Sequence, residues 1–136
     1  MEIYKTKQIK RAVSKIAEIC EKRMTAEVCG IIGSDSGTYM VQECKNISDR
    51  PSECFILDPI QYLLFKEEYE IVAIFHSHII GDESPSEFDI MMSENSCVPF
   101  IVYSLNTKNI NVYTPKYIDS DEESLSKIKK QTKQKV

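Results

Sequence analysis

Five consecutive apolar residues, Ile71-Val72-Ala73-Ile74-Phe75, run directly into His76-Ser77-His78. A short unbroken apolar run reads as a strand buried on both faces, the kind found in the middle of a sheet covered by helices on each side. Such a strand can place polar chemistry only at its ends. Here one end carries both histidines of the chain. Side chains alternate along a strand, so His76 and His78 share one face and both imidazoles can reach one point. Ser77 takes the opposite face and reads as structural support.

The flanking sequence supplies elements to cover that strand. Apolar positions at Ile9, Ala12/Val13, Ile16 and Ile19/Cys20 recur at helical spacing, which predicts an amphipathic helix within residues 7–23. Residues 28–34 and 38–44 read as two strands of a hairpin around Ser34-Asp35-Ser36-Gly37. Phe55-Ile56-Leu57 reads as a further short strand. Asp58-Pro59 is a helix start, because Asp caps and Pro suits the first turn, and predicts a helix over 59–68. Ser84-Pro85-Ser86-Glu87 is a second start, for a helix over 86–95. Residues 99–104 and 109–114 read as two strands joined by a turn. From Asp119 onward an acidic block followed by a basic block reads as a short exposed helix or a disordered tail. The expected organisation is one domain over residues 1–118 and a charged tail over 119–136.

The two histidines acquire a third partner by position. Asp89 lies about one turn into the helix expected after Pro85, where it can point back at the strand end. Neutral imidazoles and a carboxylate are zinc ligands, and catalytic zinc sites commonly use three protein ligands. A pair of histidines two apart at a strand end is also what solvent-bonded or backbone-bonded histidines look like, so spacing alone leaves both readings open.

The order and spacing of the surrounding residues are more specific. His76-Ser77-His78, seven residues, Ser86, two residues and Asp89 resemble the JAMM signature H-[ST]-H-x7-S-x2-D of the MPN/Mov34/JAB metallopeptidases at every fixed position. Glu27-Val28-Cys29-Gly30 resembles the family's upstream E-x-C-G segment, placed just after the first helix. The junction Phe55–Pro59, residues 94–104 and Val112-Tyr113-Thr114-Pro115 extend the likeness over about residues 5–115.

The resemblance implies an α/β fold: one MPN (JAB, cytidine-deaminase-like) domain with a mixed, mostly antiparallel sheet flanked by helices. It implies a zinc metallopeptidase that cuts isopeptide or peptide bonds. His76, His78 and Asp89 would hold one zinc ion. Glu27 would act as general base, and Ser86 would donate to the oxyanion. The implied substrate is a ubiquitin-like or sulfur-carrier protein cut at its flexible C-terminal tail. Alternatives within the family are a phage tail-assembly peptidase, whose branch residues 93–104 resemble, and a non-catalytic MPN scaffold. Ile79 stands where many relatives carry proline, a change expected to alter the loop at the cleft rim rather than the chemistry. A zinc deaminase requires H-x-E and PCxxC segments, and neither occurs.

Composition narrows the setting. The net charge is −4, with a basic first segment and an acidic body, which argues against a nucleic-acid backbone as partner. The basic first segment reads as a solvated helix face. The five cysteines contain no CxxC pair, which reads as free thiols in a reducing cytoplasm, the host's if the gene is a phage's. Cys29, near Glu27, reads as a small core residue rather than a nucleophile. No signal-peptide core or membrane-length apolar run is present, so no membrane partner is expected.

Overall fold

A computed structural model describes residues 2–133 of the chain. The apolar run forms the centre of β4 (Glu70–His78), buried from Ile71 through Ser77. Burial on both faces requires two covering layers. α1 (Ile9–Cys20) and α4 (Glu122–Lys133) cover one face and α2 (Pro59–Glu68) and α3 (Glu87–Ser96) the other. The sheet has six strands. β1 (Tyr4–Thr6), β2 (Cys29–Asp35), β3 (Thr38–Cys44), β5 (Phe100–Ser104) and β6 (Ile110–Tyr113) join β4 in the order β1-β3-β2-β4-β5-β6. Only β4 and β5 pair in parallel; α3 makes the crossover between them. This is the mixed, mostly antiparallel sheet that the sequence implied.

Local chemistry fixes the pieces. α1 buries Ala12, Ile16, Ile19 and Cys20, a stripe of helical period. The β2–β3 hairpin turns on two residues, Ser36 and Gly37, both at positive φ, the geometry that matches the twist of paired strands. Gly30 allows close packing: a Cβ there would collide with the Phe75 ring and the Gln42 carbonyl. α2 begins at Asp58, whose carboxylate accepts from the Ile60 amide, with Pro59 in the first turn.

A bulge in β4 sets the face on which the histidines emerge. Its pairing with β2 shifts register at Ile32/Gly33, so Val72 is the extra residue. Val72 and Ala73 consequently both pack on the α1/α4 side. Beyond the bulge Phe75 continues on that side. Ile74 packs in the other core, where His76 also lies, against Phe55 and Phe100.

Three segments differ from the expected reading. Phe55-Ile56-Leu57 is not a strand: a single bridge, Asn46 with Leu57, marks the segment, and Phe55 is drawn into the core instead. β1 was not anticipated; it is a three-residue edge strand paired with β3. The charged C-terminal segment forms a helix, one of the two forms expected, but not an exposed one, because α4 buries Leu125 and Ile128 in the same core as α1. Asp121 anchors it, accepting from the Ser124 amide and hydroxyl and from the Ser34 hydroxyl of β2. Residues 134–136 of that segment lie outside the described residues.

Candidate metal centre

Strand and helix converge on one carboxylate. Ser86 precedes α3 in extended conformation, and its hydroxyl accepts from the Asp89 amide at 3.0 Å. In return Asp89 Oδ2 accepts from the Ser86 amide at 2.9 Å. This reciprocal capping box fixes the first turn of α3 and turns Asp89 inward. The same Oδ2 lies 3.1 Å from His76 Nε2 and 2.9 Å from His78 Nε2. The ligand atoms of the three residues all fall within 4.8 Å of one another, so His76, His78 and Asp89 could hold a metal ion.

Each imidazole is held differently. His76 is fully buried, stacked on Phe55 with ring centroids 4.3 Å apart and edged by Phe100. Neither of its ring nitrogens makes a hydrogen bond of good geometry, despite the short approach to Asp89. A buried polar group without a partner is costly, and a metal ligated at one ring nitrogen would remove that cost for that nitrogen. The donor set therefore fits a zinc ion, which favours imidazole and carboxylate ligands. His78 is half-buried, and its Nδ1 faces the Asp82 carbonyl at 3.0 Å, which leaves Nε2 turned to Asp89.

The electrostatics follow from burial and pairing. Burial pushes the His76 pKa down, and its contact with Asp89 does not restore it. Burial also lowers His78, but Asp89 and the Asp82 carbonyl outweigh it and leave the net shift upward. Burial alone would raise the Asp89 carboxyl, yet the two histidines and the Ser86 amide hold it well below the usual carboxylate range.

Glu27 arrives from the other side. Its amide donates to the Pro51 carbonyl and its carbonyl accepts from Asn46 Nδ2, so the backbone is fixed from the loop after β3. The next residue ties it to β4: the Val28 amide donates to Ser77 Oγ and the Ser77 amide to the Val28 carbonyl, both at 2.9 Å. Ser77 is thus the support expected of it, and its bonds join the Glu27 segment to the histidine strand. Glu27 is 8% exposed, and its carboxyl is close enough to feel His78 and Asp89. Burial raises its pKa to about 7; His78 opposes this and Asp89 adds to it.

All five residues singled out in the sequence therefore come to one region. Sequence reasoning missed the Asp82 carbonyl that orients His78, for which no side-chain signal exists, and the Phe55 and Phe100 rings that enclose His76. The loop after β4 is held by hydrogen bonds to the β5–β6 turn. Gly81 takes positive φ, and its carbonyl accepts from Ser104 Oγ and Asn106 Nδ2. Cys29 is fully buried with its thiol pKa pushed up by burial, which leaves no thiolate for nucleophilic work.

Comparisons with known proteins agree with this geometry. The family described as prokaryotic homologs of the JAB domain matches residues 10–116. The tail tip assembly protein K of Escherichia phage N15 is 29% identical over 90 residues, which is 66% of this chain but 37% of that protein. The chain thus spans little more than a third of that relative's length. The solution structure of protein DSY2949 from Desulfitobacterium hafniense aligns with a TM-score of 0.60 at 16% identity, covering 84% of this chain and 94% of that one. That likeness shows the fold. With the family match spanning most of its length, the chain belongs to the prokaryotic JAB-domain family.

Proposed function

We propose that the chain is a zinc metallopeptidase that hydrolyses peptide or isopeptide bonds in a protein substrate, with tail-tip assembly as its setting. The observation that carries the chemistry is the position of Glu27: a buried carboxyl with a pKa raised to about 7, beside a His-His-Asp cluster able to hold a metal. A base with that pKa can accept and return a proton near neutral pH. His76, His78 and Asp89 would hold the zinc ion, which when bound would supply Lewis acidity for activating water and polarising a carbonyl.

The protein groups divide the remaining work. Glu27 takes the proton from the attacking water and delivers it to the departing amine. Ser86 Oγ accepts from the Asp89 amide, so its own O–H proton is left to donate to the developing oxyanion. Asp82 and Ser77 act at one remove, orienting His78 and the Glu27 segment.

The setting rests on the likeness to a phage tail tip assembly protein. Processing of a ubiquitin-like or sulfur-carrier protein at its C-terminal tail is the second reading, favoured by the intact motif and the family. The zinc-loaded chain, incubated with tail proteins and with ubiquitin-like precursors and followed by mass spectrometry, separates the two. Cleavage should be abolished by Glu27→Gln. No cleavage of either panel by wild type, or equal cleavage by the variant, would sink the peptidase reading.

A further inference from the structure

Two cavities open along the side of the molecule that carries Glu27. The smaller, about 240 Å3, has Glu27, Asn46 and Pro51 in its walls together with Arg23 and Lys45. The larger, about 630 Å3, continues between the end of α1 and β3, with Ile3, Ile19 and Val41 as apolar lining. Arg23, Glu43, Cys44 and Lys45 border both, so the two form one groove that starts beside the general base.

The groove carries a small excess of cations over its carboxylates Glu2, Glu27 and Glu43. Lys15, Lys22, Arg23 and Lys45 line the larger cavity against two carboxylates, Glu2 and Glu43. The chain as a whole carries a net −4. Glu43 sits at the waist of the groove, taken by both Arg23 Nη1 and Lys22 Nζ. Both cations are more than half exposed, and ion pairs of that kind are weak. Glu43 therefore marks a position where a carboxylate from outside can be held by the same two cations. Arg23 has further N–H donors for a second carboxylate, and the exposed Lys45 ammonium makes no ion pair among the described residues.

We propose that this groove binds an acidic segment of the polypeptide substrate, delivering the adjoining amide to Glu27 with Lys22, Arg23 and Lys45 as the specificity-determining residues. The occupant is an Asp/Glu-bearing peptide stretch, since an apolar floor under a cationic rim suits a chain of mixed acidic and apolar side chains. The inference deepens the peptidase reading and rests on it for the role of binding, but binding itself is measurable without catalysis.

The test is fluorescence anisotropy with a labelled Glu-rich decapeptide and its Gln-for-Glu counterpart, on the full chain in chelator so that nothing is cut. The Glu peptide should bind at least about tenfold more tightly, and added salt should erase most of the difference. Combined Lys22→Glu, Arg23→Glu and Lys45→Glu should remove the preference. A control with equal charge change outside the groove, Lys7→Glu, Lys10→Glu and Lys130→Glu, should keep it. Glu43→Gln should tighten the Glu peptide by removing its internal competitor, which a purely structural ion pair would not do. Circular dichroism establishes that each variant is folded. Equal affinity for the two peptides, or equal loss in groove and control variants, overturns the proposal. Acidic-peptide binding together with no cleavage of either protein panel by the zinc-loaded chain overturns the peptidase reading alone.

Discussion

Replacing Glu27 by Gln should make the metal-free protein more stable while abolishing activity. The folded chain holds the Glu27 carboxyl at a pKa of about 7 against an ordinary 4.5, because burial disfavours its charged form. Between those two values the folded state keeps a proton that the unfolded state has lost. Stability therefore falls as pH rises from about 4.5 to about 7 and is flat above. A shift of that size corresponds to at most about 3 kcal/mol at neutral pH, at 1.36 kcal/mol per unit. Gln fits the same space with no charge to bury, so the variant lacks this slope. Thermal melts in chelator should coincide near pH 4 and diverge by up to about 10 °C at pH 8, the variant higher. His78, with its raised pKa, also loses its stabilising contribution as pH rises, and Asp89, with its lowered pKa, as pH falls. Both groups are present in wild type and variant, so the difference reports Glu27 together with its coupling to His78 and Asp89. Zinc should narrow the gap, because a nearby dication favours the ionised carboxylate. Parallel melting curves across this range, or a less stable variant at pH 8, would refute the burial argument.

Three further outcomes follow from the same contacts. His78→Ala should lower bound zinc from about one ion per chain to a small fraction and abolish metal-induced stabilisation, measured by elemental analysis and by melts with and without zinc. Ser86→Ala should cost about 1 kcal/mol through the lost cap and cut kcat by about 100-fold through the lost donor, whereas Ser86→Thr should keep both; an active Ala variant would remove the oxyanion role. Ser77→Ala leaves the Val28 amide without its bond and should cost about 1–3 kcal/mol, with a fall in kcat larger than any change in KM as Glu27 loses its register; unchanged kcat would show that the tie is only structural.

Most of the fold could be read from patterns whose cause is local. The apolar run of β4, the helical stripe of α1 and the cap signals at Asp58 and Ser86 each encode an element within a few residues. Elements held by distant partners were not readable. β1 has three residues and is a strand only because β3 offers an edge. Phe55-Ile56-Leu57 has strand-like composition, but the Phe55 ring packs over His76, and the backbone follows the ring rather than the sheet. α4 hid its apolar pair, Leu125 and Ile128, among charges, although Asp121 followed by an acidic first turn and a basic end is a sound helix pattern. The site was legible as a set of residues because its motif has fixed spacing. Its orientation was not, because a β4 bulge and the Asp82 carbonyl decide it, and neither leaves a mark in side-chain identity.

The bulge also bears on why the chemistry cannot be separated from the fold. With Val72 kept in regular pairing and no bulge, strict alternation would put Ile71 on the face of Phe75 and Ser77, opposite His76. With the bulge, Ile71, Ile74 and His76 lie on one face, while Ser77 turns to the other and ties down Val28. A one-residue slip would exchange those roles, sending both imidazoles away from Asp89 and burying Ser77 where His76 belongs. Register in this sheet is fixed on both sides: Phe75 fills the space that Gly30 leaves open, and His76 lies under Phe55. The same packing that selects the register therefore selects the donor set, and a core substitution such as Gly30→Ala acts on the site through β4 without touching a ligand.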